Sequence, residues 1–190
     1  MDFLQAGALS YSNLLKKQYR TVIKVKGEEK AIIFFFAPYH FFHLIGLQKL
    51  KDISMCTGTP SKHQQANIYR DIISGKRSTI QQIYGSVFFH DISNRVEWFH
   101  KIDGMVMRLM EPKKILIKYD KGKSHSRIEA DYAFYERYSE MDMSLYFYLA
   151  YSDEYKSYVP VTFHPDQNDQ KLAGQTRYEI KNFSVTRTKR

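Results

Sequence analysis

The chain has 190 residues, 43% of them hydrophobic, which is enough apolar matter for a packed core and excludes a globally disordered chain. Lysine and arginine outnumber the acids by 29 to 20, and the formal charge of +9 favours an anionic partner: nucleic acid, a membrane surface or an acidic protein. A single cysteine, Cys56, excludes an internal disulfide and a cysteine-rich zinc site, and points to a reducing compartment.

The opening MDFLQAGALSYSN carries an acid at position 2 and no long apolar run, so it does not read as a signal peptide. No stretch reaches the length needed to span a bilayer, and the expectation is a soluble, cytoplasmic protein. Ala6 to Tyr19 reads as an amphipathic helix, with Leu14 and Leu15 inward. Thr21–Lys26 alternates apolar and basic residues, Gly27-Glu28-Glu29 turns the chain, and Lys30–Phe36 returns as the partner strand of a hairpin.

Pro38 then separates the apolar run AIIFFFA from HFFHLIGLQKL, His40–Leu50, which reads as a helix apolar nearly all round and therefore buried. His43 and Gly46, three apart, fall on one face of that helix. A glycine inside a helix marks a close approach by a backbone or a ligand, so an imidazole beside it is a candidate active-site wall. The alternative is a core histidine satisfied by a backbone carbonyl.

Thr57–Ser61 is a loop, Ser61 caps a helix to Ile73, and Gly75 stops it. The turn Gly75–Thr79 sets Lys76 and Arg77 before a further helix start, where free N–H groups attract anions; Arg77 is thus a candidate nucleic-acid contact. Ser86–Met110 reads as one or two helices with Ile92, Val96, Phe99 and Ile102 on one stripe and His90, Arg95 and His100 off it.

From Lys113 the period becomes alternating, with strands predicted at Lys113–Tyr119, Arg127–Tyr135, Met143–Tyr151, Ser157–Phe163 and Tyr178–Val185. The turns between them fall at Asp120–Gly122, Ser139-Glu140, Ser152-Asp153 and Pro165-Asp166, and such short links imply an antiparallel β-meander. Helices first and strands second give an α+β class, expected as a single domain over residues 1–190 with a basic tail from about residue 186.

No P-loop, dinucleotide fingerprint or HExxH is present, and no carboxylate lies near His40 and His43 to complete a metal site, so no cofactor and no metal is expected. Cys56 has nothing adjacent in sequence to activate it as a nucleophile. What is left, His, Lys, Arg, Tyr and hydroxyls in a basic protein, suits metal-independent RNA cleavage. There the RNA 2′-OH is the nucleophile, an imidazole moves the proton and a cation balances charge on the phosphorane, leaving a 2′,3′-cyclic phosphate and sparing DNA.

The motif HLIGL (His43–Leu47) after an aromatic strand, helices through Phe99, IEADY (Ile128–Tyr132), and PVTFH from Pro160 with Gln175 beyond resemble one family in their order. This is the fourth phage-borne group of barnase–EndoU–colicin–RelE-like nucleases, and the resemblance runs from Phe3 to Val185. It implies N-terminal helices packed on an antiparallel sheet whose open face holds RNA, and a toxin-like ribonuclease. It also implies His43 as the catalytic imidazole, Thr162 and Gln175 as phosphate-positioning groups, and Arg127 or Lys118 as the basic partner. The expected partners are RNA (tRNA or ribosome-associated RNA included) and an antitoxin or immunity protein.

Two other functions fit the same residues. One is a non-catalytic RNA- or ribosome-binding module contacting phosphates through Arg177, Lys181, Arg187, Lys189 and Arg190, a stretch that otherwise reads as a solvated end. The other is a phage or host protein-interaction factor that offers its basic surface to an acidic partner.

Overall fold

A computed structural model describes residues 2–124, 127–138, 142–166 and 174–188. The chain divides into two compact units. One comprises Met1–Leu15 and Ala37–Gly104, and its regular elements are helices; the other comprises Lys16–Phe36 and Met105–Arg190 and holds every described strand. The class is α+β.

In the helical unit, α1 spans Phe3–Ser12, opened by Asp2, whose carboxylate accepts the Gln5 N–H at 2.9 Å. The helix predicted at Ala6–Tyr19 is therefore displaced. It ends at Asn13, Lys16 adopts φ 56°, and the residues from Lys17 onward are extended. Then come α2 (His40–Ile45), α3 (Lys62–Ile73), α4 (Arg77–Tyr84) and α5 (Ser93–Phe99), while α6 (Ile102–Leu109) carries the chain out of this unit. Ser61 and Gln64 form a reciprocal capping box on α3. Four rings hold the helices together: Phe41 lies 5.5 Å from Tyr11, 5.2 Å from Tyr69 and 5.4 Å from Phe99, in tilted or edge-on pairs. The stripe Ile92, Val96, Phe99 and Ile102 is buried as its period requires, but Arg95, read as off the stripe, is buried too.

The run after Pro38 is buried, with Phe41, Phe42, Leu44, Ile45, Leu47 and Leu50 all fully so. Its helix is shorter than the pattern suggests. Gly46 sits at φ 93°, donates its N–H to the Phe42 carbonyl and ends α2, and Leu47–Lys49 continues as a 3-10 turn. Gly46 is thus a left-handed cap, not an interior gap on the His43 face. A Cβ there would lie 2.9 Å from Ile92 Cγ2. Gly46→Ala meets both backbone strain and overpacking, and should lower the unfolding free energy by about 2–3 kcal/mol, read from urea titration.

The second unit begins with β1 (Lys17–Val25) and β2 (Glu28–Phe35), joined by the two residues Lys26 and Gly27, both at positive φ, as a type I′ hairpin turn needs. The later strands are β3 (Ile115–Lys118), β4 (Tyr132–Tyr138), β5 (Met143–Ser152), β6 (Ser157–Asp166) and β7 (Thr176–Arg187). They do not form a separate meander. β3 to β6 pair consecutively, but β7 returns to lie between β3 and β1, and β2 meets β6 in parallel, closing a barrel in the order β1-β2-β6-β5-β4-β3-β7. Closure turns one face of the sheet into a packed interior and the other into the outside of the barrel, in place of the open sheet that the family resemblance implied. The barrel interior is filled by rings, Phe34, Phe134 and Phe147 among them, with Phe36 stacked 5.6 Å from Phe147.

β5 is buried on both sides from Met143 to Leu149, because residues of the Arg127–Asp131 segment cover its outer face. Ile128 and Ala130 pack there against Ile117, Tyr119, Ala133, Tyr146 and Tyr148. That segment, predicted as strand, is therefore a strap, and β4 starts at Tyr132. Pro165-Asp166, predicted as a turn, is the end of β6, and the predicted turn at Ser139-Glu140 lies outside the described residues. The basic stretch Arg177–Arg187 is strand rather than tail, tied at its end by the Thr188 N–H to the Lys16 carbonyl at 2.9 Å; Lys189 and Arg190 lie outside the described residues. Among the described residues no helix is long and apolar enough to cross a membrane.

Candidate active site

In the helical unit, α2 presents His43 at the wall of a cavity of about 290 Å3. Phe42, Gln48, Lys51, Cys56, Thr57, Thr59, Pro60 and Gln65 line it as well. The loop from Cys56 to Pro60 supplies the hydroxyls, that of Thr57 donating to the Ser54 carbonyl at 3.1 Å, and Gln48 of the 3-10 turn after Gly46 and Lys51 just beyond it line the same cavity. Gln65, buried on α3, donates its amide to the Pro60 carbonyl at 2.7 Å and so fixes the loop against the helix. His43 is half-buried, and desolvation holds its pKa below the ordinary histidine value, so the ring is neutral and basic at pH 7.

One turn earlier, His40 is buried and its Nδ1 accepts the Ala37 N–H at 3.1 Å. Burial, then the charges of His43 and Lys62, push its pKa down to about 3. It is the satisfied core histidine of this helix, and His43 is the accessible one. Burial, with a contribution from Asp52, raises the Cys56 thiol to about 11, so at neutral pH it is no nucleophile.

The anion spot foreseen at Gly75–Thr79 is filled by the chain itself. Lys76 Nζ and Thr79 Oγ1 both hold Asp71 Oδ2, at 2.7 and 2.9 Å. Arg77, the first residue of α4, is exposed beside it.

In the barrel unit, Thr162 lies on β6 directly across from Tyr148 and is nearly buried. The same face of β6 carries two residues missed in the sequence, His164 and Asp166, with His164 Nε2 3.3 Å from Asp166 Oδ2. Their spacing from Thr162 is the strand period, which is the signal that would have grouped them. Across the ladder stand Tyr146 and Ser144, and Arg137 donates to Ser144 Oγ at 3.1 Å. Gln175 uses both ends of its amide on one residue, accepting the Asp120 N–H at 2.8 Å and donating to the Asp120 carbonyl at 2.9 Å. Lys118 pairs with Asp131 at 3.6 Å and rests over the Tyr132 ring. Arg127 is exposed at the start of the strap. Arg177 faces outward across from Ile117, and Lys181 pairs with Glu179 at 2.8 Å. Thr162, Gln175, Lys118, Arg177 and Lys181 thus share the barrel, while His43 and Arg77 belong to the helical unit. Among the described residues, no three His, Cys, Asp or Glu side chains are grouped to hold a metal ion.

The fold and this cavity together define a basic α+β protein with a neutral imidazole at a cavity wall that also carries hydroxyl, amide and ammonium side chains. The chain belongs to the phage-Barnase-EndoU-ColicinE5/D-RelE like nuclease4 family, whose model matches residues 4–188. No curated protein and no solved structure matches it.

Proposed function

We propose that this family member is a metal-independent endoribonuclease that cleaves RNA through the substrate's own 2′-OH. The observation that carries the reading is the His43 cavity, where a neutral imidazole shares its walls with one lysine, two threonines and two glutamines. His43 takes the 2′-OH proton, the 2′-oxygen attacks phosphorus, and the P–O5′ bond breaks as the departing 5′-oxygen takes a proton from water. Lys51 balances the extra charge of the phosphorane, and Thr59 and Gln48 orient its oxygens. The products are a 2′,3′-cyclic phosphate and a 5′-hydroxyl.

Thr162 and Arg127 are further candidate positioning groups. Gln175 acts through the Asp120 turn that it holds, and Lys118, Arg77, Arg177 and Lys181 act as phosphate contacts. A toxin-like role in the cytoplasm, with an antitoxin or immunity partner, completes the proposal, and the family's phage association is what supports it.

Purified protein incubated in EDTA with mixed cellular RNA should give fragments ending in 2′,3′-cyclic phosphate, and a DNA of matching sequence should stay whole. Intact RNA in EDTA and in cell extract alike would leave the non-catalytic RNA-binding module as the better reading.

A further inference from the structure

One end of the barrel gathers lysines and tyrosines in a way that neither the core nor the imidazole cavity explains. Lys118 ends β3 opposite Tyr132, the first residue of β4, and near the other side of this rim Tyr151 of β5 stands opposite Tyr158 of β6. Two ammonium groups converge on the buried Tyr132 ring, Lys118 Nζ at 4.8 Å and Lys30 Nζ at 5.6 Å from its centre. Cations placed over a ring are attracted to its face, but they repel each other. Asp131 neutralises only Lys118, and its second oxygen already accepts the Tyr151 N–H at 2.7 Å. Among the described residues, Lys30 has no carboxylate within ion-pair reach.

The rings continue outward as a tilted series. Tyr158 lies 5.4 Å from both Tyr132 and Tyr151, edge-on to each. Tyr151, last in the series, is 47% exposed, which is far from the burial of the other barrel rings. An exposed aromatic face beside surplus ammonium groups is the combination that binds single-stranded nucleic acid, with bases stacking on the ring and phosphates meeting the cations. An acidic peptide would use the lysines and leave the tyrosine face without a role.

We propose that this rim is a docking platform for single-stranded RNA, with backbone phosphates on Lys30 and Lys118 and a base stacked on Tyr151. The choice of RNA as ligand rests on the ribonuclease reading above; the platform itself rests on the rim geometry.

Binding is measured on the full chain by fluorescence anisotropy, with a 2′-O-methyl RNA oligonucleotide of about 12 nucleotides, which lacks the nucleophile and cannot be cut. Tyr151→Ala should weaken binding about tenfold, whereas Tyr151→Phe, which keeps the stacking face, should stay within about twofold of wild type. Lys30→Gln with Lys118→Gln should weaken it by about tenfold or more and reduce the slope of log affinity against log salt by about 1.4, two phosphates' worth for a single strand. The control pair Lys101→Gln with Lys113→Gln removes the same charge outside the rim, Lys101 lying in the helical unit and Lys113 before the start of the strand that Lys118 ends, and should cost less than about threefold.

Wild-type affinity in the rim variants, or an equal loss in the control pair, overturns the platform. So does displacement by polyglutamate as effective as by RNA together with a silent Tyr151→Ala, which would mark a surface for an acidic protein. If rim variants lose binding while the wild-type protein cuts no RNA, the platform stands and the ribonuclease reading fails; cleavage with rim-independent binding gives the reverse.

Discussion

Replacing His43 with alanine is expected to lower RNA cleavage in EDTA by about 10²–10⁴-fold, the range that a positioned general base contributes. The protein should still fold, since the ring is half-buried at a cavity wall rather than packed in the core. Wild-type-like near-ultraviolet circular dichroism alongside lost cleavage separates the two effects. The pH profile gives a second readout. Because desolvation depresses the His43 pKa, the free base persists below the ordinary histidine value of about 6.5, and the acid limb of the rate profile should fall below it. Lys51→Gln should lower the maximal rate without moving that limb, since it removes charge balance but not the proton acceptor. Cleavage that survives His43→Ala and is lost in His164→Ala would transfer the general-base role to the imidazole beside Asp166 on β6.

Where a structural decision is local, the sequence already carries it. Ser61 caps α3 because its hydroxyl meets an N–H three residues on, and Gly75 follows the helix at φ 74° because only glycine takes that conformation without strain. The burial of Phe41, Leu44 and Ile45 also follows from spacing alone. Decisions made by distant partners were not legible. Nothing within Thr176–Arg187 says that it will lie between β3 and β1 instead of beside β6, because barrel closure is settled by pairing across more than a hundred residues. Gly46 looks the same in sequence whether it clears a helix face or caps a helix end, and its φ decides which. The site divides along the same line. His43 could be singled out from its own helix, but Lys51, Thr57 and Thr59 become its neighbours only through a loop that Gln65 pins from α3. Arg95 was misplaced for a related reason, since a periodic stripe assigns faces to one helix and ignores what another packs against it. A Cβ on Gly46 would stand 3.4 Å from the Arg95 guanidinium.

Acid should weaken the helical unit through His40 in particular. Its ring is buried, neutral and hydrogen-bonded to the Ala37 N–H, with its pKa pushed down to about 3, first by burial and then by His43 and Lys62. In the unfolded chain the same ring titrates near 6.5. Between those values the unfolded state binds a proton that the folded state refuses. The stability is therefore whole above about pH 6.5 and drains as pH falls toward about 3, by a total on the order of 3–5 kcal/mol. His43 shifts in the same direction and adds to the loss. The single tryptophan, Trp98 on α5, lies in this unit, so urea unfolding followed by its fluorescence at pH 7, 5.5 and 4 reads the effect where it occurs. His40→Asn offers an uncharged acceptor to the Ala37 N–H. It should be less stable than wild type at pH 7, by about 1–3 kcal/mol for the smaller side chain and imperfect bond. Between pH 7 and 4, however, it should lose about 3 kcal/mol less than wild type. Equal losses in both proteins would mean that His40 is protonated in the fold, and α2 would then hold a charge where its geometry calls for a neutral ring. The variant also bears on catalysis. His40 anchors the helix that presents His43, so an acid limb that stays in place in His40→Asn belongs to His43, and one that moves with the unfolding curve belongs to the loss of α2.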